Sequence, residues 1–187
     1  MSPARPMKRL LLLFALLAAA LPLAAQETRI ERTSPPNPAD ARPNRDQVPA
    51  GYAIDAKFAR VVVLRFKFDT DLLAGLEQMV RQEKIRNAVI LAGIGSVRGY
   101  HYHVVSNRAF PSQDLFIRNP ADPADLVSMN GYVIDGRVHA HVMFGGRAGA
   151  FGGHLEPGTT VFTFAIVTLG VLDDAASLER ADDKNYR

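Results

Sequence analysis

The pattern of hydrophobic and polar positions first becomes regular at residue 61, where it predicts a β-strand. Three valines at residues 61–63 pass into strict alternation, in which Arg65 and Lys67 separate Leu64, Phe66 and Phe68. A β-branched run that turns to a period of two is typical of a strand with one buried face. A folded domain is therefore expected from about residue 51 onward.

A single amphipathic helix is predicted after this strand. Its apolar residues recur every three or four positions as far as Glu83, and they are Leu72, Leu73, Leu76, Met79 and Val80. Asp69 or Thr70 is placed to cap the first turn, because a short polar side chain there accepts a hydrogen bond from a free backbone amide. One apolar stripe on one helix indicates packing against a flat surface.

Nearly all of the remaining chain is predicted to be strand. The predicted strands cover residues 88–94, 97–105, 125–134, 137–144, 151–155 and 160–171, with glycine-containing turn signals between them. Residues 108–123 have no clear period and contain three prolines, so they are interpreted as a long surface excursion. Residues 175–187 are too charged for the core, although Leu178 and Tyr186 can anchor them. One helix on a curved, mainly antiparallel β-sheet predicts a single α+β domain over residues 51–187.

Two segments precede this domain. A short positive start and sixteen apolar residues, broken by Pro22 and ending in small residues, predict a secretory signal peptide over residues 1–25. Residues 26–50 hold five of the twelve prolines and no aromatic residue, which predicts a proline-rich disordered linker. We therefore expect an exported protein, periplasmic or secreted, with no integral membrane segment after cleavage.

Composition and charge narrow the function. The 187 residues are 48% hydrophobic and 22% charged, which fits a globular domain, and they include no cysteine. Disulfides, cysteine-type zinc sites and thiol nucleophiles are thereby excluded. The formal charge of +3 comes from Arg5, Lys8 and Arg9, and without them 19 basic residues face 19 acidic residues. Nucleic acid is not an expected partner, since binding its backbone requires a basic surface.

The candidate chemistry lies in the histidines, all five of which fall between residues 101 and 154. His139 and His141 are two apart on a predicted strand and therefore share a face. If the chain reverses between residues 147 and 148, His154 lies directly opposite His141. Three neutral imidazoles leave a fourth zinc position open, as in catalytic sites. In the same register Glu156 falls opposite His139, where it is a candidate catalytic carboxylate or ligand-orienting group.

The spacing alone leaves two interpretations open, because a His-x-His sequence on an exposed strand needs no metal. Gly152 and Gly153 favour a site, since they let backbone approach closely, although glycines also form ordinary turns. His101 and His103 flank Tyr102 on a second predicted strand. We interpret them as surface residues, and the alternative is that they bind a metal. The sequence contains no nucleophile elbow, dinucleotide fingerprint or phosphate-binding loop.

Taken in order, several motifs resemble the PPC domain, the "plants and prokaryotes conserved" family. The resemblance runs from about Phe58 to Tyr186. It is carried by residues 61–68, 71–73, 88–97 and 126–131, by the His-Ala-His and Gly-Gly-His-Leu motifs at 139–141 and 152–155, and by residues 161–163. Together these motifs identify the chain as similar to a bacterial, exported member of that family.

The resemblance implies a single PPC-like α+β domain that assembles as a homotrimer. It also implies a divalent metal, zinc, on three histidines, which by position are His139, His141 and His154. Plant relatives bind AT-rich DNA through AT-hook peptides, but no Arg-Gly-Arg-Pro hook occurs in this sequence. Many members have an acidic residue where this chain has Ile166.

Three functions follow from these observations. The preferred hypothesis is a trimeric, metal-binding module that binds a small ligand or another envelope protein, because no residue pattern specifies a reaction. Whether the protein is an enzyme stays open, and the alternative is a metal-dependent enzyme acting on a small molecule, with Glu156 as the proton carrier. DNA binding is the third hypothesis, and the charge does not support it.

Overall fold

The computed structural model describes residues 29–36, 43–147 and 149–181. Within these residues the chain forms eight strands and one α-helix. In chain order they are β1 (Ile30–Thr33), β2 (Phe58–Lys67), α1 (Leu72–Gln82), β3 (Ala88–Val105), β4 (Asp114–Asn119), β5 (Ala124–Ile134), β6 (Arg137–Gly146), β7 (Gly149–Leu155) and β8 (Thr160–Leu172). A short 3-10 turn follows at Glu179–Ala181. The predicted signal peptide lies outside the described residues.

The strands form one antiparallel sheet that curls back on itself. Its main path is β1-β4-β3-β5-β6-β7, and β8 joins β3 to β2. β7 also pairs with the second half of β3, so β3, β5, β6 and β7 enclose a core. Every pairing among the described strands is antiparallel. The predicted α+β class, one helix on a curved antiparallel sheet, is confirmed.

The long strand β3 replaces the two strands predicted over residues 88–94 and 97–105. Its first half pairs with β8 and β5, and its second half pairs with β4 and β7. Gly95, at φ +153°, approaches β8 so closely that a Cβ there would lie 2.3 Å from the carbonyl oxygen of Phe164. With register shifts on either side of it, the strand bends instead of turning.

Two strands lie where the sequence predicted none. β4 falls inside the predicted excursion of residues 108–123 and buries Ile117 against the core. β1 falls inside the predicted linker, so residues 26–50 are not disordered over Ile30–Thr33. All four residues of β1 are exposed, and they are held by backbone pairing with β4 and by Arg32 over the ring of Phe116. Because β1 buries none of its side chains, its hydrophobic pattern gives no indication that it is a strand.

The N-cap of helix α1 is Asp71, which corrects the predicted cap at Asp69 or Thr70. Asp71 Oδ1 accepts a hydrogen bond from the Ala74 backbone amide at 3.0 Å. Its Oδ2 accepts a second bond from the Gly158 amide at 2.6 Å, which ties the helix start to the β7–β8 turn. The apolar stripe of α1 packs against β2, β6 and β8, and its buried residues are Leu72, Leu76 and Val80.

The end of the described chain is anchored to the sheet. Ala176 and Leu178 are buried beside Leu172 in a small cluster of their own, and the Asn87 amide donates to the carbonyl oxygen of Ala176 at 3.0 Å. The predicted anchoring by Leu178 is confirmed, and Tyr186 lies outside the described residues. In the described part of the chain, no helix has the length and hydrophobicity needed to cross a membrane.

We predict that Asp71→Ala destabilises the fold by about 2 to 3 kcal/mol, because it removes a helix cap and a charge-assisted bond to Gly158. Urea unfolding measures the loss. Asp69→Asn is the control, since it removes only an exposed ion pair with Arg98 and is expected to cost less than about 1 kcal/mol. Equal losses in the two variants would contradict the assignment of Asp71 as the cap.

Candidate metal centre

The hairpin of β6 and β7 brings three histidines together. Gly146 pairs with Gly149, and His141 lies directly opposite His154, which is the register predicted from the sequence. Ala140 and Val142 alternate into the core, so His139 and His141 point to the opposite face, away from α1. The side chain of His154 lies on that same outer face, as directly opposed residues do.

Two glycines let β7 fit between β6 and β3. A Cβ at Gly152 would lie 2.0 Å from the carbonyl oxygen of Val142, and one at Gly153 would lie 2.2 Å from that of His103. Real Cβ atoms do not approach oxygen so closely, so any larger residue at either position would push β7 away from a neighbour. His154 follows directly and pairs with strands on both sides, His141 on β6 and His103 on β3.

The three imidazoles form a compact group of ligand atoms. One ring nitrogen from each of His139, His141 and His154 lies within 4.8 Å of the other two. The His139 and His141 rings are stacked with centroids 5.5 Å apart, and the His154 ring stands nearly perpendicular to both. Tetrahedral zinc with ligands at about 2.0–2.1 Å needs nitrogens about 3.3 Å apart. Small side-chain rotations therefore suffice for these residues to hold a metal ion.

The electrostatics of the site favour neutral rings, which is the form that binds metal. Burial and the charge of nearby His103 lower the pKa of His154 to about 4. Burial, followed by neighbouring His141 and His103, lowers the pKa of His139, and burial and His103 lower that of His141. His139 and His141 keep solvent exposure, yet the flanking strands displace enough water to disfavour a charged ring. No described residue is hydrogen-bonded to the three rings, so their nitrogens are available for coordination.

Glu156 does not lie opposite His139, which corrects that prediction. The β6–β7 ladder ends at His141 and His154, and the Glu156 backbone amide instead donates to the His101 carbonyl on β3 at 3.0 Å. The Glu156 carboxylate consequently meets His103, whose Nδ1 is 2.6 Å from Oε1. The cause is the pairing of β7 with β3, which turns Glu156 away from β6.

The two remaining histidines differ from one another. His103 stacks on His154 with centroids 4.6 Å apart, so a fourth imidazole adjoins the group. His101 bonds the carbonyl oxygen of Pro157 at 2.7 Å through Nδ1 and lies beside Phe116, outside the group. The sequence interpretation of His103 as a surface residue missed its position beside the group, although its His-x-His spacing equals that of His139 and His141.

Ile166, for which the family resemblance led us to expect an acidic residue, lies on β8. It is in register with Arg65 of β2 and Ile94 of β3, on the side of the sheet that α1 does not cover. Two strands, β3 and β5, separate it from β6. Isoleucine at this position is therefore part of an apolar sheet face and not of the histidine group.

Comparison with known proteins gives one family and one fold. The profile of the Plants and Prokaryotes Conserved (PCC) domain matches residues 54–173. A plant- and prokaryote-conserved (PPC) protein of Pyrococcus horikoshii is 23% identical at a TM-score of 0.57, covering 73% of this chain and 94% of that one. A metal-containing protein of Archaeoglobus fulgidus is 21% identical at a TM-score of 0.54, covering 68% and 86%.

Two further proteins are similar to this chain, and their names do not mention the family. A Bacteroides thetaiotaomicron protein, to which DNA binding is ascribed, is 15% identical at a TM-score of 0.51, covering 66% of this chain and 86% of that one. Bifunctional protein GlmU of a Synechococcus strain is 26% identical over 111 residues, which are 59% of this chain. The match spans only 17% of the length of GlmU, so it concerns one part of that protein.

We predict that the His154 ring of the metal-free protein titrates near pH 4, far below the ~6.5 of an ordinary histidine. Between these values the unfolded chain binds a proton that folded His154 does not, so the free energy of unfolding decreases as the pH falls from about 6.5 to about 4. NMR titration of the imidazole signals measures the midpoint. In His103→Ala the midpoint is expected to rise but to stay below 6.5, because burial is the larger cause. A wild-type midpoint near 6.5 would contradict the prediction.

Proposed function

Because the chain belongs to the Plants and Prokaryotes Conserved domain family, we propose that it is an exported, trimeric, metal-binding module for a small ligand or an envelope protein. His139, His141 and His154 hold the metal. The observation that carries the proposal is the convergence of three uncharged imidazoles, each offering a nitrogen within 4.8 Å of the other two.

Zinc is the metal proposed. Neutral imidazole nitrogens suit zinc, whereas calcium and magnesium prefer oxygen ligands. The metal-containing protein from Archaeoglobus fulgidus, which shares the fold, supports a metal in this family. Three protein ligands leave one coordination position for a ligand, and a zinc ion held there supplies Lewis acidity at that position.

The residues around the three histidines suit a small ligand with polar and planar parts. Asn130 and Tyr132 of β5 lie directly opposite His141 and His139, and Tyr132 is 48% exposed. The Asn130 amide can donate to a carbonyl or carboxylate group of a ligand, while the Tyr132 ring offers a flat apolar surface. Such an arrangement provides binding contacts whether or not a reaction follows.

A metal-dependent enzyme is the second candidate, and one observation favours it. The Glu156–His103 pair lies against His154, with each side chain about 20% exposed, so a group able to carry protons adjoins the proposed metal. We prefer the binding module because the arrangement selects no reaction. If the metal is a structural element of a binding module, its removal dissociates the assembled chains. If the protein is an enzyme, removal of the metal abolishes turnover of the substrate.

DNA binding is the third candidate. A structural relative to which DNA binding is ascribed shares the fold. We do not prefer this function, because residues 26–187 carry equal numbers of basic and acidic side chains and the proposed export removes the protein from chromosomal DNA. Export itself rests on the sequence of residues 1–25.

The trimer is proposed from the family resemblance and from an exposed apolar face. On the side of β2, β8 and β3 that α1 does not cover, Val61, Val63, Phe162 and Ile94 are each about half or more exposed. Exposed apolar side chains grouped on one face are typical of protein interfaces, and here the charged Arg65 lies among them. Association of copies through this face would remove it from water.

We predict about one zinc per chain in the purified wild-type protein, since one group of three ligands is present. His139→Ala, His141→Ala and His154→Ala are each expected to lose it, because two imidazoles hold zinc weakly. Inductively coupled plasma mass spectrometry measures the content. His101→Ala is the matched control and should keep its zinc, since His101 lies outside the group. A wild-type protein that stays metal-free after zinc addition would refute the proposal.

We also predict that the purified protein sediments as a trimer. Val63→Arg should shift it toward monomer, because a charge placed in an apolar interface must be desolvated. Analytical ultracentrifugation measures the distribution, with Lys84→Arg, a change on the turn after α1, as the control. A monomeric wild-type protein would remove the trimer from the proposal. Repeating the run after chelation tests whether metal loss costs assembly.

A further inference from the structure

A fourth imidazole, that of His103, adjoins the proposed metal ligands without belonging to their group. His103 of β3 is directly opposite His154 of β7, and the two rings stack with centroids 4.6 Å apart and planes 25° apart. His103 is not one of the three residues whose ligand atoms converge within 4.8 Å. Its ring face, and not a ring nitrogen, therefore meets the metal-binding group.

Each ring nitrogen of His103 faces a carboxylate. Nδ1 donates a hydrogen bond to Glu156 Oε1 at 2.6 Å, and Nε2 faces Asp114 Oδ1 at 4.0 Å. The side chains of His103 and Glu156 are each only about 20% exposed, so water competes little for this bond. The edge of the His103 ring is thus directed at acidic groups and its rotation is restricted.

A third ring completes the packing. Phe116 of β4 lies opposite His103 on the other side from β7, with ring centroids 5.0 Å apart. His103 is consequently held between Phe116 and His154, in a row of directly opposed residues on three adjacent strands. Rings on both neighbouring strands therefore restrict the movement of the His103 ring.

We propose that the Glu156–His103 pair positions the His154 ring for metal binding. This inference rests on the proposed function, because it assigns a task at the same metal centre. Of the three ligands, His154 alone comes from β7, so its ring must be aimed toward β6 independently of His139 and His141. A fixed neighbour stacked on its face removes rotamers that point elsewhere, as residues behind metal ligands commonly do.

The test measures zinc affinity by competition with a chelator of known affinity. His103→Ala and Glu156→Ala are each expected to weaken zinc binding about 10- to 100-fold. Glu156→Gln is expected to stay within about 3-fold of wild type, because its amide oxygen still accepts from His103 Nδ1. His101→Ala is the matched control, since it removes an imidazole from the same face of β3 that does not stack on His154. Circular dichroism of each metal-free variant verifies that the fold is kept.

A second measurement separates positioning from direct ligation. With cobalt(II) as the probe at saturating concentration, His103→Ala should show the visible absorption spectrum of the wild type, because the ligands are the same. A changed spectrum would make His103 a metal ligand and would overturn its positioning role. If Glu156→Gln and Glu156→Ala weakened zinc binding equally, the hydrogen bond between His103 and residue 156 would have no part in positioning His154, and the proposal would be wrong.

The outcomes also separate this inference from the proposed function. If the wild type and His101→Ala bind zinc, His154→Ala does not, and His103→Ala and Glu156→Ala bind as the wild type does, the metal centre stands and the positioning role is wrong. If the wild type binds no zinc, both the metal centre and the positioning role are wrong.

Discussion

The insertion of β7 between β6 and β3 is the constraint on which the rest of the structure depends. It requires backbone contact on both sides of one strand, and Gly152 and Gly153 are the residues that permit it. Closing the sheet there encloses the aromatic core of Phe144 and its neighbours. The same closure sets His154 between His141 and His103, so stability and the candidate site arise from one packing event.

That closure also determines the electrostatics of the site. Strands that approach closely displace water from the imidazoles, and rings brought together repel one another when charged. Both effects oppose protonation, which leaves nitrogen lone pairs available near neutral pH. A bound cation would use these lone pairs, which no described residue occupies with a hydrogen bond.

The outer face of the sheet has two chemically different regions. The histidine group lies on β6 and β7, with His103 of β3 beside it, whereas exposed apolar side chains, with Arg65 among them, lie on β2, β8 and the first half of β3. The bend of β3 near Gly95 makes one strand serve both regions with different partners. The proposed ligand site and the proposed interface between chains thus lie on separate parts of a single sheet.

Local pattern was enough to predict α1, most strands, the β6–β7 register and the shared face of His139 and His141, because these depend on residues near one another in the chain. Contacts between distant segments decided what the sequence did not reveal. β4 forms because the edge of β3 offers it unpaired backbone groups, and β1 adds in the same way to the edge of β4, so neither needs a strong hydrophobic pattern of its own. Likewise Glu156 meets His103, 53 residues away, because β7 pairs with β3 beyond the end of its hairpin. Spacing along the chain determined which histidines share a strand face, and the closure of the sheet determined which carboxylate and which fourth ring stand behind them.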